Sequence, residues 1–289
     1  MDLDQLRALL AVVDHGTFDA AAAALHLTPS AVSQRIKALE ATAGAVLLQR
    51  SRPVRPTERG LALLRAARQL VHLADEALAD LRSAEPSPGG RLRVPVVVNA
   101  DSIATWFAAA LVEIGRGDVV DLEVRRDDEH VTADLLRTGE VMAAVTTEPV
   151  AVQGCTVRRL GTMTYRAKAS AAFVRRWFPD GPTPAALARA PVVHYDDKDR
   201  MQTGLLDRQA PGATPPRTMV PDSTQFVAAI RGGAGWGMVP DLQDPRDVLV
   251  GLDPAWAQGI DLHWQAWRLP SRALDHVTDA VARAAGALA

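Results

Sequence analysis

Cysteine is almost absent from this chain of 289 residues: Cys155 is the only one. No intrachain disulfide can form, and no zinc site can be built on cysteine sulfur. Long apolar runs are missing too, since no stretch approaches the roughly 20 residues that span a bilayer. Asp2 and Asp4 lie in an amphipathic opening, which is not the pattern of a secretory signal. Catalytic signatures are equally scarce. The 7 histidines are scattered without an HExxH pair, so no metal is expected. Gly232-Gly-Ala-Gly-Trp-Gly237 lacks the spacing of a phosphate-binding loop and lies after a helix and before a strand, the reverse order. There is no G-x-S-x-G elbow. Cys155 has no activating neighbour in sequence and reads as a small buried residue. These absences weigh against an enzyme, a cofactor binder and a membrane protein, and they fit a cytoplasmic chain.

A formal net charge of −2 argues against a general nucleic-acid binder. The distribution says more than the sum. Between Ser33 and Arg68 stand Arg35, Lys37, Arg50, Arg52, Arg55, Arg59, Arg65 and Arg68 against only Glu40 and Glu58, a surplus of six positive charges. The remainder therefore carries −8. A basic head on an acidic body is the footprint of a site-specific DNA binder.

That head is organised around residues 17–40. A short alanine-rich helix runs from about Phe18 to Leu25. Thr28 is a good N-cap for a second helix, and Pro29 takes its first position, where a missing N–H costs nothing. Val32, Ile36 and Leu39 give this helix one buried face, and Ser30, Ser33, Gln34, Arg35 and Lys37 occupy the other. Hydroxyl, amide and cationic groups on one exposed face suit the major groove of DNA. Gln34 is expected at a base edge. The segment from Val46 to Thr57 carries two prolines with Arg50, Arg52 and Arg55, and reads as a hairpin wing against the phosphate backbone. From Glu58 a long helix places Leu64, Val71 and Leu78 seven apart, interleaved with Ala67, Ala74 and Leu81. That seam predicts a dimerisation helix. Glu85-Pro-Ser-Pro-Gly-Gly90 then reads as a hinge.

After the hinge, strands and helices alternate. Leu92 to Thr146 reads β-α-β-α-β, one helix of which runs from Asn99–Ser102 to about Glu113, and this implies a parallel sheet. A second such unit follows, with strands at Val192–Tyr195, Thr218–Pro221 and Trp236–Val239, and a returning strand at Leu262–Leu269. Two lobes joined by crossing segments form a cleft, and open sheets bind ligands beyond the carboxyl ends of their strands. The candidate effector residues are therefore Asp101, Ser102, Thr146, Thr147, Tyr195, Asp196, Asp197, Asp222 and Ser223. Ser102 is expected to meet an α-carboxylate, the two threonines to offer neutral hydrogen bonds, and one of the aspartates to pair with a ligand cation.

The order of parts resembles a LysR-type transcriptional regulator over essentially the whole chain. The residues that carry the resemblance run from Phe18 to Glu40 and continue in Leu47-Leu-Gln-Arg50 and Pro56-Thr-Glu-Arg-Gly60. The resemblance implies a winged helix-turn-helix over 1–57, a dimerisation helix over 58–84, a hinge at 85–90 and an effector domain over 91–289. That last part would resemble type 2 periplasmic binding proteins, with one lobe at about 91–163 and 269–289 and another at about 164–268. It also implies homodimers and homotetramers that bind and bend an interrupted palindrome in double-stranded DNA, with RNA polymerase as a further partner. Ser33-Gln-Arg-Ile-Lys37, Arg52-Pro-Val-Arg-Pro56 and Asn99-Ala-Asp-Ser-Ile-Ala-Thr-Trp106 are similar to the subfamily called ArgP or LysG. Its members sense lysine, arginine or related basic amino acids and control an exporter gene. Inhibition of chromosome initiation at the replication origin, or response to an unrelated small metabolite, are the alternatives.

Overall fold

The computed structural model describes residues 1–82, 91–117, 119–126 and 129–288. The expected hinge lies outside them.

Three helices open the chain: α1 (Leu3–His15), α2 (Phe18–Ala24) and α3 (Pro29–Ala43). Each start is capped by the residue before it; Thr28 Oγ1 accepts the Ala31 N–H at 3.2 Å, with Pro29 at the first position of α3. Gly44 closes α3 at φ +63°, a conformation that costs glycine little. The strands β1 (Leu48–Gln49) and β2 (Arg55–Pro56) pair antiparallel as a wing. Glu40 ties wing to helix: its Oε1 accepts the Leu47 and Leu48 N–H groups at 2.8 and 3.3 Å.

The helix α4 (Glu58–Arg82) corrects the expected seam. Leu64 and Ala67 are 1% and 0% exposed, buried in the head's own core with Leu9, Val12, Ile36 and Leu39. Val71 packs partly against the same core, while Leu78 faces solvent. A different face carries largely exposed apolar side chains. Ala62, Ala66, Leu70, Leu73, Ala77 and Leu81 recur at steps of four and three residues, all exposed except the half-buried Leu73. A heptad pattern marks an apolar stripe but not its partner, and this helix has two such stripes.

The other side of α4 rests on the α/β domain that follows it. Arg68 donates to the Thr138 carbonyl at 2.7 Å and also pairs with Asp14. Arg65 reaches the Gln153 carbonyl and Cys155 Sγ. His72 bonds to Ser271 Oγ at 3.0 Å, and Glu76 accepts the Ala273 N–H at 3.1 Å.

In that domain β3 (Leu92–Val98) leads through α5 (Ala100–Ile103) and α6 (Phe107–Gly115) to β4 (Val120–Arg126), then α7 (Glu129–Thr138) and β5 (Ala143–Thr146). β3 lies parallel to both β4 and β5, as the alternation predicts. The single helix expected from Asn99 to Glu113 is two. Thr105 causes the break: its hydroxyl bonds back to the Asp101 carbonyl at 2.6 Å and its N–H takes the Ser102 carbonyl, tightening the turn.

Next comes β6 (Cys155–Ala169), a strand of 15 residues absent from the sequence reading. Then follow α8 (Ala171–Trp177), α9 (Pro184–Leu187), β7 (Val192–His194), α10 (Met201–Gln209), β8 (Arg217–Met219), α11 (Ser223–Arg231) and β9 (Gly237–Pro240). The chain ends with β10 (Val250–Gly251), β11 (Ala257–Trp267) and α12 (Arg272–Ala284), capped by Ser271. The main sheet has the order β10-β6-β11-β5-β3-β4, with β9 also on β6. β6 and β11 are therefore the crossing segments: β6 starts beside β11 and ends between β9 and β10. A small parallel pair, β7 and β8, completes the second lobe.

A DNA-reading head and a candidate effector cleft

On α3, Pro29, Ser30, Gln34 and Lys37 are exposed and Ser33 is half-buried. Thr28 spends its oxygen on capping the helix and lies 3.0 Å from the Ser30 hydroxyl. Arg35 departs from expectation. Its guanidinium pairs with Asp4 of α1 at 2.8 Å, because α1 packs against the side of α3 from which Arg35 extends. Arg65 and Arg68, counted in the basic stretch, belong to the contact between α4 and the effector domain. What remains on the reading surface, apart from the exposed Arg59 at the start of α4, is Lys37 with Arg50, Arg52 and Arg55 of the wing. These four are exposed, and among the described residues none pairs with a carboxylate. A helix carrying amide and hydroxyl groups, beside a wing of free arginines, can read base edges and hold phosphates at once.

The cleft is organised by Asp101, on the short α5 of the first lobe. Its Oδ1 accepts the hydroxyl of Ser223, at the start of α11 in the second lobe, at 2.5 Å. Its Oδ2 accepts the Tyr165 hydroxyl from β6 at 2.8 Å. Gln243 donates in turn to the Ser223 oxygen. Burial pushes the Asp101 carboxyl above the usual carboxylate range; the two hydroxyls pull it down, and Asp199 pushes it up again. Among the described residues no lysine, arginine or histidine forms an ion pair with it.

Other expected residues divide. Tyr195 lies at the end of β7 and its N–H donates to Asp199 Oδ2 at 3.1 Å. Burial raises the Tyr195 hydroxyl pKa, Arg126 lowers it, and Asp101, Asp222 and Asp196 raise it. Asp222 caps α11 by accepting the Gln225 N–H and stands 3.9 Å from Arg126. Asp196 closes its own turn, accepting the N–H groups of Lys198 and Asp199 at 2.8 Å each. Thr146 is buried and accepts the Glu148 N–H at 3.1 Å; Thr147 is half-buried beside it. Two expectations need correcting. Ser102 is 0% exposed and its oxygen accepts the Trp106 indole N–H at 3.1 Å, so it lies within the wall of the site. Asp197 is exposed and leans away toward Arg217 of β8 at 3.5 Å. Tyr165, Asp199, Gln243 and Arg126 were missing from the candidates. Tyr165 could have been found, since Gly161, Met163, Tyr165 and Ala167 alternate with polar residues as a half-buried strand should.

Residues 3–61 match the family described as bacterial regulatory helix-turn-helix protein, lysR family, and residues 86–286 match the LysR substrate binding domain. The chain belongs to the LysR family of transcriptional regulators. Its relatives in that family include the HTH-type transcriptional regulator LysG of Mycobacterium tuberculosis, 44% identical over 100% of this chain and 95% of that protein. The crystal structure of ArgP from Mycobacterium tuberculosis matches with a TM-score of 0.87 and 44% identity, covering 100% of this chain and 98% of that one. Full-length LysG from Corynebacterium glutamicum with bound effector Arg matches with a TM-score of 0.80 and 38% identity, covering 99% and 98%. A further full-length structure of that LysG matches at 0.61 with the same identity and coverage. As a LysR-family regulator, the chain joins a DNA-binding head to a domain for a small effector. Among the described residues, no helix is long and apolar enough to cross a membrane.

Proposed function

We propose that the chain is an effector-gated regulator that senses a basic amino acid, arginine or lysine, and controls export of such amino acids. One observation carries the reading. Asp101 presents a carboxylate, held by two neutral hydroxyls and pushed up by burial, with no cation paired to it among the described residues. A ligand's guanidinium or ammonium group supplies the missing charge, and hydrogen-bonded carboxylates are good receptors for both. Likeness to full-length LysG with bound effector Arg supports the same reading.

Because Asp101 bridges the lobes through Ser223, a ligand there favours one lobe orientation. The contacts of Arg65, Arg68, His72 and Glu76 carry that bias to α4 and the head. Copies of the chain pair through the stripe Ala62, Ala66, Leu70, Leu73, Ala77 and Leu81, and the paired heads take the half-sites of an interrupted palindrome. Gln34 reads a base edge while Arg50, Arg52 and Arg55 hold the backbone. The protein acts at the nucleoid in the cytoplasm, with RNA polymerase as a partner and without a catalytic step. Calorimetry of the full chain with arginine, lysine, a neutral amino acid and a dicarboxylate tests the effector class. Heat from arginine or lysine alone is expected; binding of the dicarboxylate alone would overturn it.

A further inference from the structure

Arg126 ends β4, and Val98, which ends β3, is its partner in register. Three residues beyond Val98 stands Asp101. The cation therefore sits at the carboxyl edge of the first lobe's sheet, one strand from the Asp101 turn. Across the cleft, Asp222 and Ser223 are consecutive. Ser223 Oγ donates to Asp101 while Asp222 Oδ2 lies 3.9 Å from Arg126 Nη1. Both charges of this cross-lobe pair are half-exposed, with side chains 55% and 51% accessible, and their separation is long for a direct hydrogen bond. Asp222 keeps its other oxygen, Oδ1, on the Gln225 N–H, so the carboxylate is fixed in place by the start of α11.

Resting on the basic-effector reading, we propose that Arg126 and Asp222 together receive the α-amino-acid head of the ligand. Arg126 takes the α-carboxylate and Asp222 the α-ammonium, while the side-chain cation reaches Asp101. A zwitterion inserted between two opposite charges meets each with its complement, so the loose pair opens without leaving either charge alone. Tyr195 lies among the three charges: Arg126, Asp101 and Asp222 all act on its hydroxyl. Arg126 is in this account a specificity-determining residue, which restricts the effector to molecules with a free carboxylate.

Calorimetry of the full chain with arginine, with its decarboxylated analogue agmatine and with its deaminated analogue δ-guanidinovalerate tests the assignment. The wild type is expected to bind arginine at least about tenfold tighter than either analogue, the scale of one charge-assisted contact. Arg126→Gln should cut arginine affinity about tenfold or more and leave agmatine unchanged, since agmatine has no carboxylate to lose. Asp222→Asn, which keeps the helix cap, should penalise arginine and spare δ-guanidinovalerate. Equal losses for arginine and agmatine in Arg126→Gln would overturn the proposal, as would a wild type that binds the two alike. A wild type with no affinity for any of the three or for lysine would instead overturn the basic-effector reading itself.

Discussion

In the head, Lys37, Arg50, Arg52 and Arg55 stand exposed without a carboxylate partner among the described residues, while Arg35, Arg65 and Arg68 are tied to Asp4, Cys155 and Asp14. In the cleft the signs reverse: among the described residues Asp101 lacks a cation, whereas Asp197 is tied to Arg217 and Asp196 to its own turn. One region leaves positive charge available and the other negative, each matching the ligand assigned to it. Counting charges along a sequence does not separate the committed from the available. Three of the eight cations that mark the basic stretch already have partners within the chain. The difference teaches that a site shows itself as a charge the fold positions and then leaves unpaired.

The comparison breaks most visibly at Asp101. Asp101→Asn keeps one of the two hydrogen-bond acceptors and removes the charge. Losing one partner of a desolvated ion pair costs about 3–5 kcal/mol, so arginine affinity is expected to fall more than about a hundredfold. Calorimetry reads it directly, and an unchanged affinity would place the effector elsewhere.

The two faces of α4 give the next largest contrast. Leu64→Ala removes a core side chain and is expected to cost about 2–5 kcal/mol of head stability in urea unfolding. Leu70→Asp lies on the exposed stripe and leaves that core intact. It should instead lower the mass seen in sedimentation, because a buried unpaired carboxylate costs several kcal/mol across a dimer contact. Loss of head stability in both, with the dimer intact, would remove the stripe from the interface.

How much of this was legible in the sequence follows from range. The caps Thr28 and Pro29, the buried Val32, Ile36 and Leu39, and the wing arginines are local signals, and α3 and the wing form where those signals place them. The pairing of Arg35 with Asp4 is a tertiary event across 31 residues, invisible to helix periodicity. β6 was overlooked because Arg158, Arg159, Thr162, Thr164 and Arg166 interrupt any apolar run; its period-two burial begins only at Gly161. With β6 went Tyr165, so one of the two hydroxyls on Asp101 was missed. Ser102 was legible as a residue at a strand-to-helix turn, but not as one sealed under Trp106.

Smaller effects sharpen the head. Gln34→Ala is expected to cost about 1–3 kcal/mol on the operator and little on random DNA. Arg52→Ala should weaken both sequences alike and flatten the salt dependence by about one unit. Arg35→Ala, its charge already committed to Asp4, should leave the salt slope unchanged. Binding titrations at several salt concentrations separate the three. A slope change for Arg35 equal to that for Arg52 would erase the distinction between committed and available cations.

Proton release on effector binding tests the central claim most directly. In the unliganded protein burial raises the pKa of the Asp101 carboxyl above its ordinary range, so it takes up a proton at a higher pH than a free carboxylate does. A bound cation favours the ionised form and lowers that pKa, so in the acidic range where Asp101 begins to protonate, binding expels protons and affinity falls as pH is lowered. Calorimetric titration of the full chain with arginine, in buffers of different ionisation enthalpy, measures that release. In that acidic range, protons released by the wild type and none by Asp101→Asn is the predicted result. Binding with the same proton release in both, or with proton uptake in the wild type, would contradict the account.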